Sequence, residues 1–96
     1  NIERIDLLDN GQKHRVDNLS LQDVIDITGN DNILTILGGS GDSVSLKDGA
    51  GAEWTRSGTE VGTGVDTGHV FDVYTNAYDS TVKVLIEQQI DQNIVP

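Results

Sequence analysis

The chain contains no cysteine and no methionine, a single proline, and only four aromatic residues among 96. The absence of cysteine excludes disulfides, thiol catalysis and thiolate metal sites, although it does not identify a cellular compartment. No apolar run approaches the roughly 20 residues that a membrane-spanning helix needs. An initiator methionine and a basic signal-peptide region are also absent. We therefore expect residues 1–96 to form a single domain that is a module excised from a longer chain.

Basic residues are scarce as well, because six lysines and arginines stand against 16 acidic residues and the net charge is −10. Nucleic acid and anionic membrane surfaces are poor partners for such a surface, since phosphate contacts need lysine and arginine. Of the acidic residues 12 are aspartate, and the chain also holds 11 glycines. Aspartate and glycine are typical of turns between short strands.

One segment has the pattern of a helix. Ser20 is a good N-cap with Asp23 three residues later, and Leu21, Val24 and Ile25 then fall on one helical face.

Residues 33–37 are apolar on both faces, which indicates a buried strand, whereas residues 43–47 alternate and predict a half-exposed one. Further strands are predicted at 2–8, 13–16, 53–55, 70–75, 81–87 and near 90–95, with a long irregular loop or loose ribbon at 57–69.

The connections between these strands are short, which favours antiparallel pairing because a parallel crossover needs a dozen or more residues. We predict a mainly β fold, namely a small antiparallel β-sheet or sandwich with one short helix packed on it. The apolar helix face is expected to bury against Leu34, Ile36, Val84 and Ile86.

The segment from Gly38 to Leu46 resembles the calcium-binding nonapeptide G-G-x-G-x-D-x-U-x of parallel β-rolls. That pattern requires aspartate at position 43, but the chain has Ser43 there and its aspartate at Asp42. A single shifted copy cannot build the stacked turns that share calcium. The glycine-rich segment is therefore interpreted as a hairpin loop.

Aspartates in loops are candidate calcium ligands, because calcium takes six to eight oxygen ligands from carboxylates and carbonyls. The candidates are Asp9, Asp31, Asp42 and Asp48. The alternative is that these side chains form Asx turns and keep the surface soluble.

Catalysis has little support, since His14 and His69 are isolated in the sequence, and we expect no enzyme activity. Trp54 and Tyr78 flank loops and are candidates for stacking on a ligand. A carbohydrate- or peptide-binding module that uses loops 48–69 is therefore an alternative function. A single tryptophan in a small β-domain more often belongs to the core or forms a lid over the sheet, and that alternative also stays open for Trp54.

Several phrases resemble, in the same order, a module from the C-terminal region of large bacterial RTX adhesins and haemolysin-type calcium-binding proteins. The resemblance extends from about Ile5 to Glu87. Its phrases are Leu19-Ser20-Leu21-Gln22-Asp23-Val24, Asn32-Ile33-Leu34-Thr35-Ile36, Gly41-Asp42-Ser43-Val44-Ser45-Leu46, Trp54-Thr55, Val70-Phe71-Asp72-Val73-Tyr74-Thr75-Asn76 and Val82-Lys83-Val84-Leu85-Ile86-Glu87.

The resemblance implies a type I secretion substrate that acts in adhesion and biofilm formation at the bacterial cell surface. Neighbouring modules of the same long chain, and a surface glycan or protein, are the partners it implies. Calcium is the implied ion, and the family offers no catalytic residues to transfer. The run from Gly58 to Gly64 is looser than the family pattern, and true nonapeptide copies are absent, so the resemblance implies a neighbour of the calcium β-roll.

Overall fold

The computed structural model describes residues 3–7, 14–28, 33–48 and 54–95. These residues form a mainly β fold with one α-helix, which confirms the predicted fold class. The elements are β1 (Glu3–Asp6), β2 (Arg15–Leu19), α1 (Leu21–Thr28), β3 (Ile33–Leu37), β4 (Ser43–Lys47), β5 (Trp54–Val61), a 3-10 turn (Gly64–Asp66), β6 (Val70–Asn76), β7 (Asp79–Glu87) and β8 (Asp91–Val95). No helix in these described ranges is long and apolar enough to cross a membrane.

The strands lie in two sheets that enclose the main core. One sheet has five strands in the order β1-β3-β7-β6-β5, and the other has three in the order β2-β4-β8. Strands β1 to β4 alternate between the two sheets, and β7 and β8 again lie in different sheets, so the chain winds through three coils, β1–β2, β3–β4 and β7–β8. We call this arrangement the two-sheet coil.

The expectation of antiparallel pairing is wrong for most of the fold. Within each sheet the strands of successive coils are parallel, and only β5, β6 and β7 pair antiparallel. Parallel strands do need a long crossover, but here the crossover is itself a strand of the opposite sheet. Short connections are therefore compatible with parallel pairing when they lead from one sheet to the other.

The interpretation of the glycine-rich segment as a hairpin loop is wrong for the same reason. Residues 38–42 connect β3 in the five-stranded sheet with β4 in the three-stranded sheet, and these strands do not pair with each other. The predicted short edge strand at 53–55 and part of the loop at 57–69 instead form the longer strand β5.

The helix begins as its sequence predicts. The amide of Asp23 donates to Ser20 Oγ at 3.1 Å, and the amide of Ser20 donates back to Asp23 Oδ2 at 3.1 Å. This reciprocal pair satisfies two amides that a helix end leaves open. Val24 is buried, and Leu21 and Ile25 pack against the same core.

The predicted partners of the helix are confirmed. The main core includes Leu34 and Ile36 from β3 and Val84 and Ile86 from β7, all buried, and α1 contacts both strands. Leu19, Val44 and Leu46 supply the opposite side from β2 and β4. The core therefore lies between the two sheets, and the inner residues of all three coils contribute to it.

Candidate functional site

The best-organised polar region is the set of turns that joins the two sheets, comprising His14, residues 38–42 and residues 87–91. We call it the turn stack. Its centre is Asp42, whose side chain is only 5% exposed. Asp42 Oδ1 accepts the amide of His14 at 2.8 Å, and Oδ2 accepts the amide of Gly39 at 2.8 Å. One carboxylate thus joins the first coil to the second.

The backbone of Asp42 continues the connection to the third coil, because its carbonyl accepts the amide of Asp91 at 3.0 Å. The Gly39 amide lowers the pKa of Asp42 most, burial opposes this effect, and the His14 amide and side chain lower it further, so the pKa lies below its ordinary value. The ionised form of Asp42 is therefore the form that the native turn stack favours.

A second buried carboxylate, Glu87, joins the second coil to the third. Glu87 Oε1 accepts the amide of Gly38 at 3.2 Å, and Oε2 lies 2.5 Å from His69 Nδ1. The side-chain amide of Gln89 donates to the carbonyl of Gly38 at 2.7 Å. Each coil is consequently bonded to the next by side chains as well as by strand pairing.

The calcium candidates do not meet in the described structure. Asp42 and Asp48 lie at opposite ends of β4, which places them about 15–20 Å apart along an extended strand. Each oxygen of Asp42 accepts one backbone amide, and Asp48 Oδ1 accepts the amide of Trp54 at 2.9 Å. Asp9 and Asp31 lie outside the described residues. No group of three or more metal-ligating side chains occurs within the described ranges.

The two ligand-stacking candidates differ in exposure. Trp54 is 3% exposed, belongs to the main core, and donates its indole N–H to the carbonyl of Lys47 at 3.0 Å. This environment favours the core interpretation of Trp54. Tyr78 is 64% exposed in the turn between β6 and β7, so its ring is accessible.

Part of the segment that the sequence predicts as an irregular loop or loose ribbon covers the outer face of the five-stranded sheet. Residues 62–69, which we call the strap, connect β5 with β6. Arg4 of β1, at the far edge of the sheet, donates from Nε and Nη2 to Asp66 Oδ1 at 3.0 and 2.8 Å. The strap therefore reaches across the sheet over a second apolar cluster. That cluster consists of Leu37, Phe71, Val73 and Leu85, with Ile33 packed against it.

A cavity of about 370 Å³ lies between the strap and the sheet. Polar groups from Arg4, Glu60, Asp66 and Thr35 line it, together with the apolar side chain of Leu85. Its size is within the range of small-molecule sites. A shallower groove of about 570 Å³ crosses the outer face of the three-stranded sheet, lined mainly by Arg15, Asp17, Asn18, Ser43, Asp91 and Asn93.

Gly62 gives a direct test of the strap. A Cβ added there would lie 2.2 Å from the carbonyl oxygen of Asp66, a backbone atom that cannot move away by itself. We expect Gly62→Ala to displace the strap and to lower the free energy of unfolding by about 1–3 kcal/mol. Hydrogen exchange should then accelerate at Phe71 and Leu85.

Gly39→Ala is the matched control, because an added Cβ at Gly39 meets nothing closer than 4.0 Å. It should leave exchange at the outer cluster unchanged. Equal exchange rates in Gly62→Ala and in the parent protein would contradict the described strap.

Another polar cluster, which the sequence pattern did not reveal, lies where β6 approaches β8 of the third coil. Asp72 is 7% exposed and accepts Arg56 Nη2 at 2.6 Å. Burial raises the pKa of Asp72, but hydrogen bonds from Arg56, Gln92 and Gln88 outweigh it, so the pKa is lowered. Tyr74 donates its hydroxyl to Gln92 Oε1 at 2.7 Å. Alternation within β6 marks Asp72 as inward-facing, but nothing local identifies its partners.

The structure thus offers a bonded turn stack, a cavity beneath the strap and a polar groove. It brings Asp42 and His14 together, and His69 and Glu87 together, while Asp42 and Asp48 stay apart. The isolated spacing of the histidines gave no signal for these pairs, since the coil joins residues 28 and 18 positions apart.

No protein-family model, no curated protein and no solved structure matches the chain.

Proposed function

We propose that the chain is a structural module of a secreted adhesin at the bacterial cell surface. The observation that carries the proposal is the two-sheet coil, whose successive coils are joined by Asp42 and Glu87 through buried hydrogen bonds. A coil held by strand pairing, core packing and side-chain bonds suits a part that transmits load between neighbours in a long chain. Both of these carboxylates are buried.

The resemblance of the sequence to modules of RTX adhesins supplies the biological setting of this proposal. In that setting the partners are neighbouring modules of the same chain, together with a surface glycan or protein, and the location is extracellular. An acidic surface with a net charge of −10 suits an environment rich in cations. Calcium remains a prediction that concerns Asp9, Asp31, Asp42 and Asp48.

Unfolding this module within the secreted adhesin tests the proposal. Cells that display the chain with Ile36→Asp should still export the polypeptide, but should attach to surfaces less than cells with the parent sequence. Immunoblotting of surface protein measures export, and a flow-chamber assay measures attachment. Full attachment by cells whose module is unfolded would refute the structural role.

The calcium prediction has its own measurement. Melting temperatures of the chain are compared in millimolar calcium and in chelator, because binding to the folded state alone raises stability. Equal melting temperatures would remove calcium from the proposal.

The cavity beneath the strap favours a second candidate function, the binding of a carbohydrate or peptide through part of loops 48–69. A guanidinium, two carboxylates and a hydroxyl around one small cavity can hydrogen-bond a polyhydroxylated or peptide ligand. A titration with glycan and peptide panels, followed by NMR, should shift the amides of residues 60–66 in the parent protein and not in Gly62→Ala. Shifts confined to Tyr78, or no shifts, would argue against this site.

A further inference from the structure

The cavity beneath the strap has two polar ends and an apolar middle. Arg4, Thr35 and Leu85 lie side by side across β1, β3 and β7, and Phe71 faces Glu60 across β6 and β5. The cavity therefore crosses the outer face of the sheet from β3 to β5. These two strands are three positions apart in the sheet, about 14 Å at the usual strand spacing. Such a space suits a long and narrow ligand.

Thr35 places a buried polar group without a partner at one end of the cavity. The residue is 4% exposed, and its hydroxyl makes no hydrogen bond with any of the described residues. Burying a hydroxyl costs free energy unless a hydrogen bond replaces its bonds to water. A ligand that bonds to the hydroxyl of Thr35 would offset that cost.

Glu60 places an uncompensated charge at the other end. It is exposed, and its carboxylate pairs with no cation in the described part of the chain. The guanidinium of Arg4 is bonded to Asp66 by two hydrogen bonds and also lies 3.8 Å from Asp6. One guanidinium thus stands against the carboxylates of Glu60 and Asp66 in the lining. The cavity therefore favours a cation over an anion.

The middle of the cavity suits a methylene chain better than a sugar ring. Leu85 and Phe71 belong to the outer apolar cluster and are only 7% and 1% exposed. Leu85 presents aliphatic surface, and the ring of Phe71 is too deeply buried to offer an open face on which a sugar could stack. Lysine combines a flexible four-carbon stem with a compact ammonium group, which matches an apolar middle beside a carboxylate.

We propose that this cavity binds a lysine side chain of a partner protein. The ammonium group bonds to Glu60, the methylene stem lies over Leu85, and the carbonyl of the same lysine accepts the hydroxyl of Thr35. The inference rests on the second candidate function, ligand binding in this cavity, and narrows its ligand to a cationic peptide. It is independent of the structural role. The net charge of −10 also attracts a basic partner at long range.

Matched probes separate the parts of this proposal in NMR titrations. The acetylated and amidated peptide Gly-Lys-Gly should shift the amides of residues 60–66 and of Leu85. The same peptide with norleucine in place of lysine keeps the stem but lacks the charge, and should bind about tenfold more weakly. The free diamine 1,5-diaminopentane lacks the carbonyl and should also bind more weakly than the lysine peptide. N-acetylglucosamine represents a neutral sugar and should not bind.

Two variants test the two ends of the cavity. Glu60→Gln should reduce the affinity for the lysine peptide about tenfold and leave the affinity for the norleucine peptide unchanged. Thr35→Val should weaken both peptides, because both contain the carbonyl. Circular dichroism checks that the variants are folded. Asp17→Asn is the matched control, since it removes one exposed carboxylate from the three-stranded sheet, and both affinities should stay unchanged.

Each contrary outcome has its own meaning. Equal affinities of the lysine and norleucine peptides, or tighter binding of the free diamine, would overturn the proposal. N-acetylglucosamine shifting residues 60–66 while the lysine peptide does not would overturn it but leave the second candidate function standing. No shift with any probe would refute both. An equal loss of affinity in Asp17→Asn and Glu60→Gln would show a general attraction to the acidic surface, which also contradicts a site in the cavity.

Discussion

Replacing Ile36 with aspartate should unfold the domain. Ile36 is fully buried between the sheets and belongs to the middle coil, so both neighbouring coils surround it. A buried unpaired carboxylate costs several kcal/mol, and the lost isoleucine side chain adds about 2–5 kcal/mol. Because domains of this size are stable by only about 5–15 kcal/mol, the folded state should no longer be populated to a useful extent.

Circular dichroism and thermal melting measure this effect. We expect Ile36→Asp to lose the cooperative transition, whereas Ile36→Val should retain it at a cost of about 0.5–1.5 kcal/mol. Val61→Asp is the matched control, because Val61 is 65% exposed at the end of β5. A melting curve of Ile36→Asp that matches the parent curve would mean that the core does not lie between the two sheets.

The sequence predicted well what depends on residues a few positions apart. The capping box at Ser20 and Asp23, and the alternation of residues 43–47, are local patterns that the structure confirms. The apolar run at 33–37 also predicts its buried position, because it leaves no polar face for solvent. Such patterns identify elements and their buried faces, but not the sheet to which a strand belongs.

Sheet membership depends on the repeat of the coil, and the unequal turns hide that repeat. Leu37 and Ser43 are separated by five residues, whereas Glu87 and Asp91 are separated by three. The hairpin β5–β6 further separates the second coil from the third. Strand and turn therefore do not recur at a fixed period, and an inspection for tandem repeats finds none.

The candidate site was predictable only in part for a related reason. The glycine-rich pattern identified Asp42 as a candidate calcium ligand or Asx-turn residue, and in the structure its carboxylate accepts two backbone amides. Its partner His14, however, is 28 residues away and meets it only because the first and second coils stack. The strap depends on an even longer contact, between Arg4 and Asp66, 62 residues apart.

Asp42→Asn should strongly destabilise the fold, because each carboxylate oxygen of Asp42 accepts a backbone amide in the turn stack. The carboxamide presents an NH₂ group to the amide of either His14 or Gly39, so one hydrogen bond becomes a repulsive contact. We expect a loss of about 2–3 kcal/mol, which corresponds to a melting temperature roughly 10–20 °C lower. Asp91→Asn is the control, since the side chain of Asp91 is exposed and its amide bond to Asp42 remains.

The pH dependence separates this mechanism from a general packing defect. The folded-state pKa of Asp42 is below its ordinary value, so its stabilising contribution is complete above about pH 4–5 and is lost as the pH falls through the folded-state pKa. The difference in free energy of unfolding between parent and Asp42→Asn should therefore be constant near neutral pH and should shrink below about pH 4. Asp72 and Asp79, whose pKa values are also lowered, contribute to both proteins and cancel in the difference. A difference that stays constant down to the acid transition would show that the charge of Asp42 does not hold the coils together.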